Sequence, residues 1–154
     1  QYRQRQNVRA VVSRGVELDA AFAWRRFSLA AGYSFADAGL RADGSAAPLD
    51  RLRPAQAPRH SASVRLSWRS EGGARAALGA RYAGVQFEDD LNRQLIPDAL
   101  TFDATALVPL RGSLALEARA ENLTDARVVA GISGAGIIER ATPRTLWIGL
   151  RWRG

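Results

Sequence analysis

Few residues in this chain are equipped for chemistry. There is one histidine, His60, and no cysteine, so thiolate ligands, disulfides and a His-centred catalytic group fall away together. The densest acidic run, Glu88-Asp89-Asp90 with Asn92, offers hard oxygen donors of the kind Ca²⁺ takes. It lacks the ligand spacing of a defined calcium loop and reads as a solvated acidic loop. Gly131, Gly134 and Gly136 form a glycine-rich run, but no strand-to-helix transition follows, so a flexible loop is expected rather than a phosphate cradle. Asn122-Leu123-Thr124 matches a glycosylation acceptor, a pattern short enough to arise by chance. No catalytic residue, cofactor or metal ion is expected, and the chain is not read as an enzyme.

The remaining charges are patterned. Glu17, Asp19, Arg65, Arg75, Arg81, Asp103, Glu117, Arg119, Glu121 and Arg151 alternate with apolar residues in extended segments. Two chemistries fit such a row. Arg65, Arg75, Arg81 and Arg119 would draw anionic chelates along a wet channel, or they would pair with Glu117, Glu121 and Asp103 and contact further protein. Pairing is the expectation. The formal charge is +7, and all 22 basic residues are arginine. They are scattered rather than gathered into a basic run, so no nucleic-acid partner is expected.

The elements that carry these residues have period 2. Seven segments alternate: Val8 to Trp24, Phe27 to Phe35, His60 to Trp68, Ala74 to Phe87, Leu100 to Val108, Leu114 to Glu121, and Leu146 to Trp152. None has a helical period. The class is all-β, an antiparallel up-and-down meander of about seven strands. Short links at Arg25-Arg26, Ser70 to Gly73 and Arg111 to Ser113 alternate with long ones at Ala36 to Arg59, Glu88 to Ala99 and Leu123 to Arg144. Tight turns therefore gather at one end of the sheet and long loops at the other, as in outer-membrane barrels.

Aromatic residues sharpen the reading. Trp24, Phe27, Trp68 and Trp152 fall at the tight-turn end with apolar-face parity, half of a lipid-facing aromatic girdle. Phe35, Tyr82, Phe87 and Phe102 would supply the other half. The opposite face, with its ten charges, must be wet or internally paired. Polar inside and apolar outside is a transmembrane β-barrel wall, with lipid covering the apolar face. Two alternatives stand beside it. A complete small outer-membrane barrel with a structural or adhesion role needs an even strand number of at least eight. A soluble lipocalin-like binding barrel needs the apolar face turned inward.

Several stretches together resemble the TonB-dependent outer-membrane receptors. Arg14-Gly15-Val16-Glu17-Leu18 resembles the opening of a late strand of that family, and Ala31 to Ala38 its following strand. Pro58-Arg59-His60 resembles the segment re-entering the barrel, Glu121-Asn122-Leu123-Thr124-Asp125 the family's E-N-L-x-D element, and Thr142-Pro143-Arg144-Thr145 with the last strand its carboxyl terminus. The resemblance implies a 22-stranded barrel of the bacterial outer membrane. Residues 1–154 would be its carboxyl-terminal segment, a piece of a longer chain, as the lack of any Met also suggests. The implied partners are outer-membrane lipid, the remaining strands and amino-terminal plug of the same receptor, a TonB-type energy-coupling protein, and a small-molecule ligand of the siderophore, haem or cobalamin class. Gly154 departs from the terminal aromatic usual in the family.

Overall fold

The computed structural model describes residues 8–152; Gly154 lies outside them. Eleven strands form in the order β1 (Ala10–Trp24), β2 (Phe27–Arg41), β3 (His60–Arg69), β4 (Arg75–Ala83), β5 (Gln86–Phe87), β6 (Leu95–Ile96), β7 (Ala99–Pro109), β8 (Leu114–Glu121), β9 (Val129–Ile132), β10 (Ile138–Arg140) and β11 (Thr145–Trp152). Seven of them make one antiparallel meander, β1-β2-β3-β4-β7-β8-β11, and the other four make two short hairpins in the long links. Between the main strands, the tight links are two to five residues. Arg25 closes the first at φ 53° with its guanidinium 4.9 Å over the Trp24 ring, and Gly73 (φ 82°) and Gly112 (φ 61°) shape the other two.

The sheet is not wrapped around a core. A globular monomer of 16.7 kDa exposes about 7,600 Å², whereas this chain exposes 11,400 Å². Leu146, Ile148, Leu150 and Trp152 are all at least 66% exposed, while only Leu40, Ala46, Ile96 and Leu107 are buried apolar side chains among the described residues. β1 and β11 are the two edges, each bonded on one side. No helix among the described residues is long and apolar enough to cross a membrane, which leaves crossing by strands open.

Two segments differ from their sequence pattern. β2 runs on to Arg41, six residues past Phe35, and pairs with β1 through Ala10↔Arg41. Beyond Phe35 the pattern loses its apolar positions to Asp37, Gly39 and Arg41, so pairing persists where alternation stops. The Ala74-to-Phe87 segment breaks instead. Gly84 is turned against β3, its amide donating to the His60 carbonyl at 2.8 Å, and an added Cβ would stand 3.0 Å from that oxygen. The chain then leaves the sheet, and Gln86–Phe87 pair with β6.

Candidate functional site

Register decides which side chains share a face. From β1 to β11 the pairs Ala23↔Ser28, Ser28↔Ser67, Ser67↔Ala77, Ala77↔Thr105, Thr105↔Arg119 and Arg119↔Trp147 form one continuous row. The row fixes parity on every strand, since side chains two residues apart point the same way. Glu17, Asp19, Arg65, Arg75, Arg81, Asp103, Glu117, Arg119, Glu121 and Arg151 all take the parity of this row. Trp24, Phe27, Trp68 and Trp152 take the other. Trp147 also stands on the polar face, directly across from Arg119. Its parity was legible in the sequence, but a tryptophan opposite a run of apolar positions gives no signal of its own among so many aromatics.

The polar face is divided by charge. Its long-loop end forms a concave surface with Glu17, Asp19, Ser34, Ser61 and Ser63, joined by Arg81 and Thr101. Its tight-turn end holds a recess of about 410 Å³ whose charged lining is Arg26, Arg65, Arg69, Arg75, Arg119 and Arg151 against Glu117 alone. Two ion pairs cross this face: Arg81 to Asp103 and Arg151 to Glu117, each at 2.7 Å. The pairing expected for the arginines is thus met by Arg81. Arg65, Arg75 and Arg119 have no carboxylate within 4.0 Å among the described residues; Asp103, in the row of Arg65, pairs with Arg81, and Glu117, in the row of Arg75, pairs with Arg151.

The long links are folded, and the acidic run Glu88 to Asp90 is already occupied. Asp89 accepts from the Arg93 and Gln94 amides at 2.9 and 2.8 Å, Asp90 from the Ala55 amide at 2.9 Å, and Glu88 from the Ile132 amide at 3.0 Å. Asn92 grips the Arg53 backbone from both sides, accepting from its N–H at 2.9 Å and donating to its carbonyl at 2.8 Å. Two of these carboxylates, Asp90 and Glu88, tie three loops together. Phe87 belongs to this cap, its ring 4.5 Å under the Arg53 guanidinium, and not to the apolar face of the sheet. On that face Tyr33 and His60 stand beside Phe35: the Tyr33 hydroxyl and His60 Nδ1 are 2.9 Å apart, and the Phe35 and His60 rings are 5.1 Å apart.

The Glu121-to-Asp125 element has a structural task. Asn122, buried and at φ 49°, accepts from the Ala126 amide and donates to its carbonyl, both at 2.9 Å, and donates to the Thr142 carbonyl at 3.3 Å. Asp125 accepts from the Arg144 amide at 3.0 Å. Together they fasten the chain leaving β8 to the chain entering β11. With its amide buried and bonded on both atoms, Asn122 is no accessible glycosylation acceptor.

The family model described as TonB dependent receptor-like, beta-barrel matches residues 2–123. No curated protein sequence matches the chain. Solved structures do match. The siderophore receptor PiuA from Acinetobacter baumannii superposes with a TM-score of 0.80 at 18% identity, over 92% of this chain and 22% of that one. The ferric yersiniabactin uptake receptor FyuA from Yersinia pestis gives 0.79 at 18%, over 92% and 23%. BauA, the ferric preacinetobactin receptor from Acinetobacter baumannii, gives 0.75 at 17%, over 90% and 21%. The chain thus spans less than a quarter of each of these proteins.

Proposed function

Since the chain belongs to the TonB-dependent receptor β-barrel family, whose members are outer-membrane proteins, we propose that it is the carboxyl-terminal wall of an outer-membrane receptor for TonB-coupled uptake of a metal chelate, of the siderophore, haem or cobalamin class. In this reading residues 1–154 continue a longer chain whose other strands complete the barrel and whose amino-terminal plug fills it. The apolar face meets lipid and the polar face lines the lumen. The role is transport, not catalysis.

The observation that carries the proposal is the pair of unmet faces on one sheet. Large apolar side chains stand bare on one side, and Arg65, Arg75 and Arg119 stand without counter-charges on the other. A small complete barrel would need β1 and β11 to pair, and they are edges. A lipocalin-like binder would need the apolar face to enclose a core.

The girdle supports the same orientation. Trp24, Phe27 and Trp68 lie in one row, which continues through Ala76, Ala106 and Ala118 to Ile148, four residues before Trp152. In a barrel tilted about 40°, each strand step of about 4.8 Å moves such a row about 3 Å through the membrane. Four steps shift Ile148 about 12 Å deeper than Trp68, and four residues of tilted β11 return about 10 Å. Trp152 therefore regains the level of Trp68. The strand ends step the same way, since the β7–β8 turn begins at Leu110, four residues past Ala106 in that row.

The test is uptake by the intact receptor. A deletion strain should lose accumulation of a ferric chelate that the wild type concentrates, and dissipating the proton-motive force should abolish that accumulation. Unchanged accumulation of ferric siderophores, haem and cobalamin in the deletion strain contradicts the proposal.

A further inference from the structure

A second arginine cluster lies outside the lumen. Arg14, Arg41, Arg51, Arg53 and Arg59 surround a recess of about 440 Å³ that includes one carboxylate, Asp37. Arg59 uses that carboxylate, at 2.7 Å, and Arg51 reaches Asp50 at 3.7 Å. Arg14 and Arg41 have no ion pair among the described residues. The recess is left strongly positive.

Its place on the wall is specific. Arg14, Asp37 and Arg41 share the parity of Val16, Leu18, Phe22 and Trp24, so they stand on the apolar face. Val16↔Phe35 is the last apolar pair of that face, and Arg14↔Asp37 is the next pair outward. Nine residues of unbroken apolar parity, Val16 to Trp24, give way to arginine within one side-chain repeat, about 7 Å. On the outer-membrane reading above, on which this inference rests, that repeat is the boundary between hydrocarbon and headgroups at the long-loop side.

The recess is also held in shape. The Arg51 amide donates to the Leu40 carbonyl at 2.9 Å and the Leu40 amide to the Leu52 carbonyl at 2.8 Å, with Arg51 at φ 64°. The Arg59 carbonyl accepts from the Ala36 amide at 2.9 Å. The Arg53 backbone is clamped by Asn92 and its side chain stacks on Phe87. Two loop arginines, Arg51 and Arg59, are thus fixed to β2, and a third, Arg53, to the loop after β4, before any ligand arrives. Guanidinium groups recognise phosphate oxygens bidentately, and basic clusters at a membrane boundary bind anionic headgroups.

We propose that this recess is a binding site for a phosphate group carried by a lipid of the outer leaflet, seated on Arg14 and Arg41 with the loop arginines closing around it. The probe is diphosphoryl lipid A, offered to the purified full-length receptor in detergent and read by native mass spectrometry and by titration. The double variant Arg14→Gln, Arg41→Gln should bind it about thirtyfold more weakly, each arginine near an anionic surface being worth roughly fivefold. Arg111→Gln, a single arginine lost at the opposite end, should leave binding unchanged. Equal binding by all three proteins overturns the site, and competition by inorganic phosphate at comparable concentration overturns its assignment to a lipid. Insertion of the variants into bilayers is measured alongside. Proper insertion without lipid A binding refutes this site alone, whereas a wild-type receptor that does not insert refutes the membrane reading beneath it.

Discussion

The wall and the loop cap use their polar groups in opposite ways. In the seven-stranded wall, backbone groups bond to neighbouring strands and side chains project into space on both faces. In the cap, Asp89 closes its own loop onto the Arg93 and Gln94 amides, while Asp90, Asn92 and Glu88 bond to the backbones of other loops. The wall is built to be completed by its surroundings, while the cap completes itself. Substitutions in the wall should therefore act through the membrane and the rest of the barrel, and those in the cap through local hydrogen bonds.

The largest effect is expected from Ile148→Arg, placed at mid-depth on the apolar face. It should cost about 2–4 kcal/mol in unfolding free energy, measured by refolding the intact receptor into bilayers. A cost near zero would mean that the wall is not facing hydrocarbon there. Asn122→Ala should follow at about 2–3 kcal/mol, because it removes three hydrogen bonds and strands the Ala126 and Thr142 backbone groups. Its mark should be faster hydrogen exchange at both Ala126 and Thr145, the two sides of the fastening.

How far the sequence could be read follows the same division. Wall strands were legible because lipid on one side and water on the other impose strict alternation, so Val16 to Trp24 and Leu146 to Trp152 announce themselves. Where that demand lapses the signal does too, and the six residues of β2 beyond Phe35 went unread. The cap was not legible at all. Asn92 and Asn122 act by a few side-chain-to-backbone bonds between segments 39 and 20 residues apart, which no periodicity records. The charged face was legible as a face but not as pairs: parity puts Glu117 beside both Arg119 and Arg151, and only geometry assigns it to Arg151.

Asn92→Ala should cost about 1–2 kcal/mol and act locally. The Arg53 and Ala55 amides should exchange faster and the loops become sensitive to limited proteolysis, while wall amides keep their protection. Loss of protection in β3 or β4 would mean that cap and wall are one cooperative unit. The smallest effect is expected from Trp152→Arg, about 0–1 kcal/mol at the interface. A penalty exceeding that of Ile148→Arg would show that depth does not govern β11.

The central claim is that one sheet faces lipid on one side and a wet lumen on the other, and site-directed labelling tests it most directly. Single cysteines at Leu66, Leu116 and Ile148, and at Arg65, Glu117 and Arg151, are introduced into the full-length receptor in outer membranes. The account predicts that the first set reacts with a lipid-soluble maleimide and the second with a water-soluble one. Preferential aqueous labelling at positions 66, 116 and 148 would contradict it.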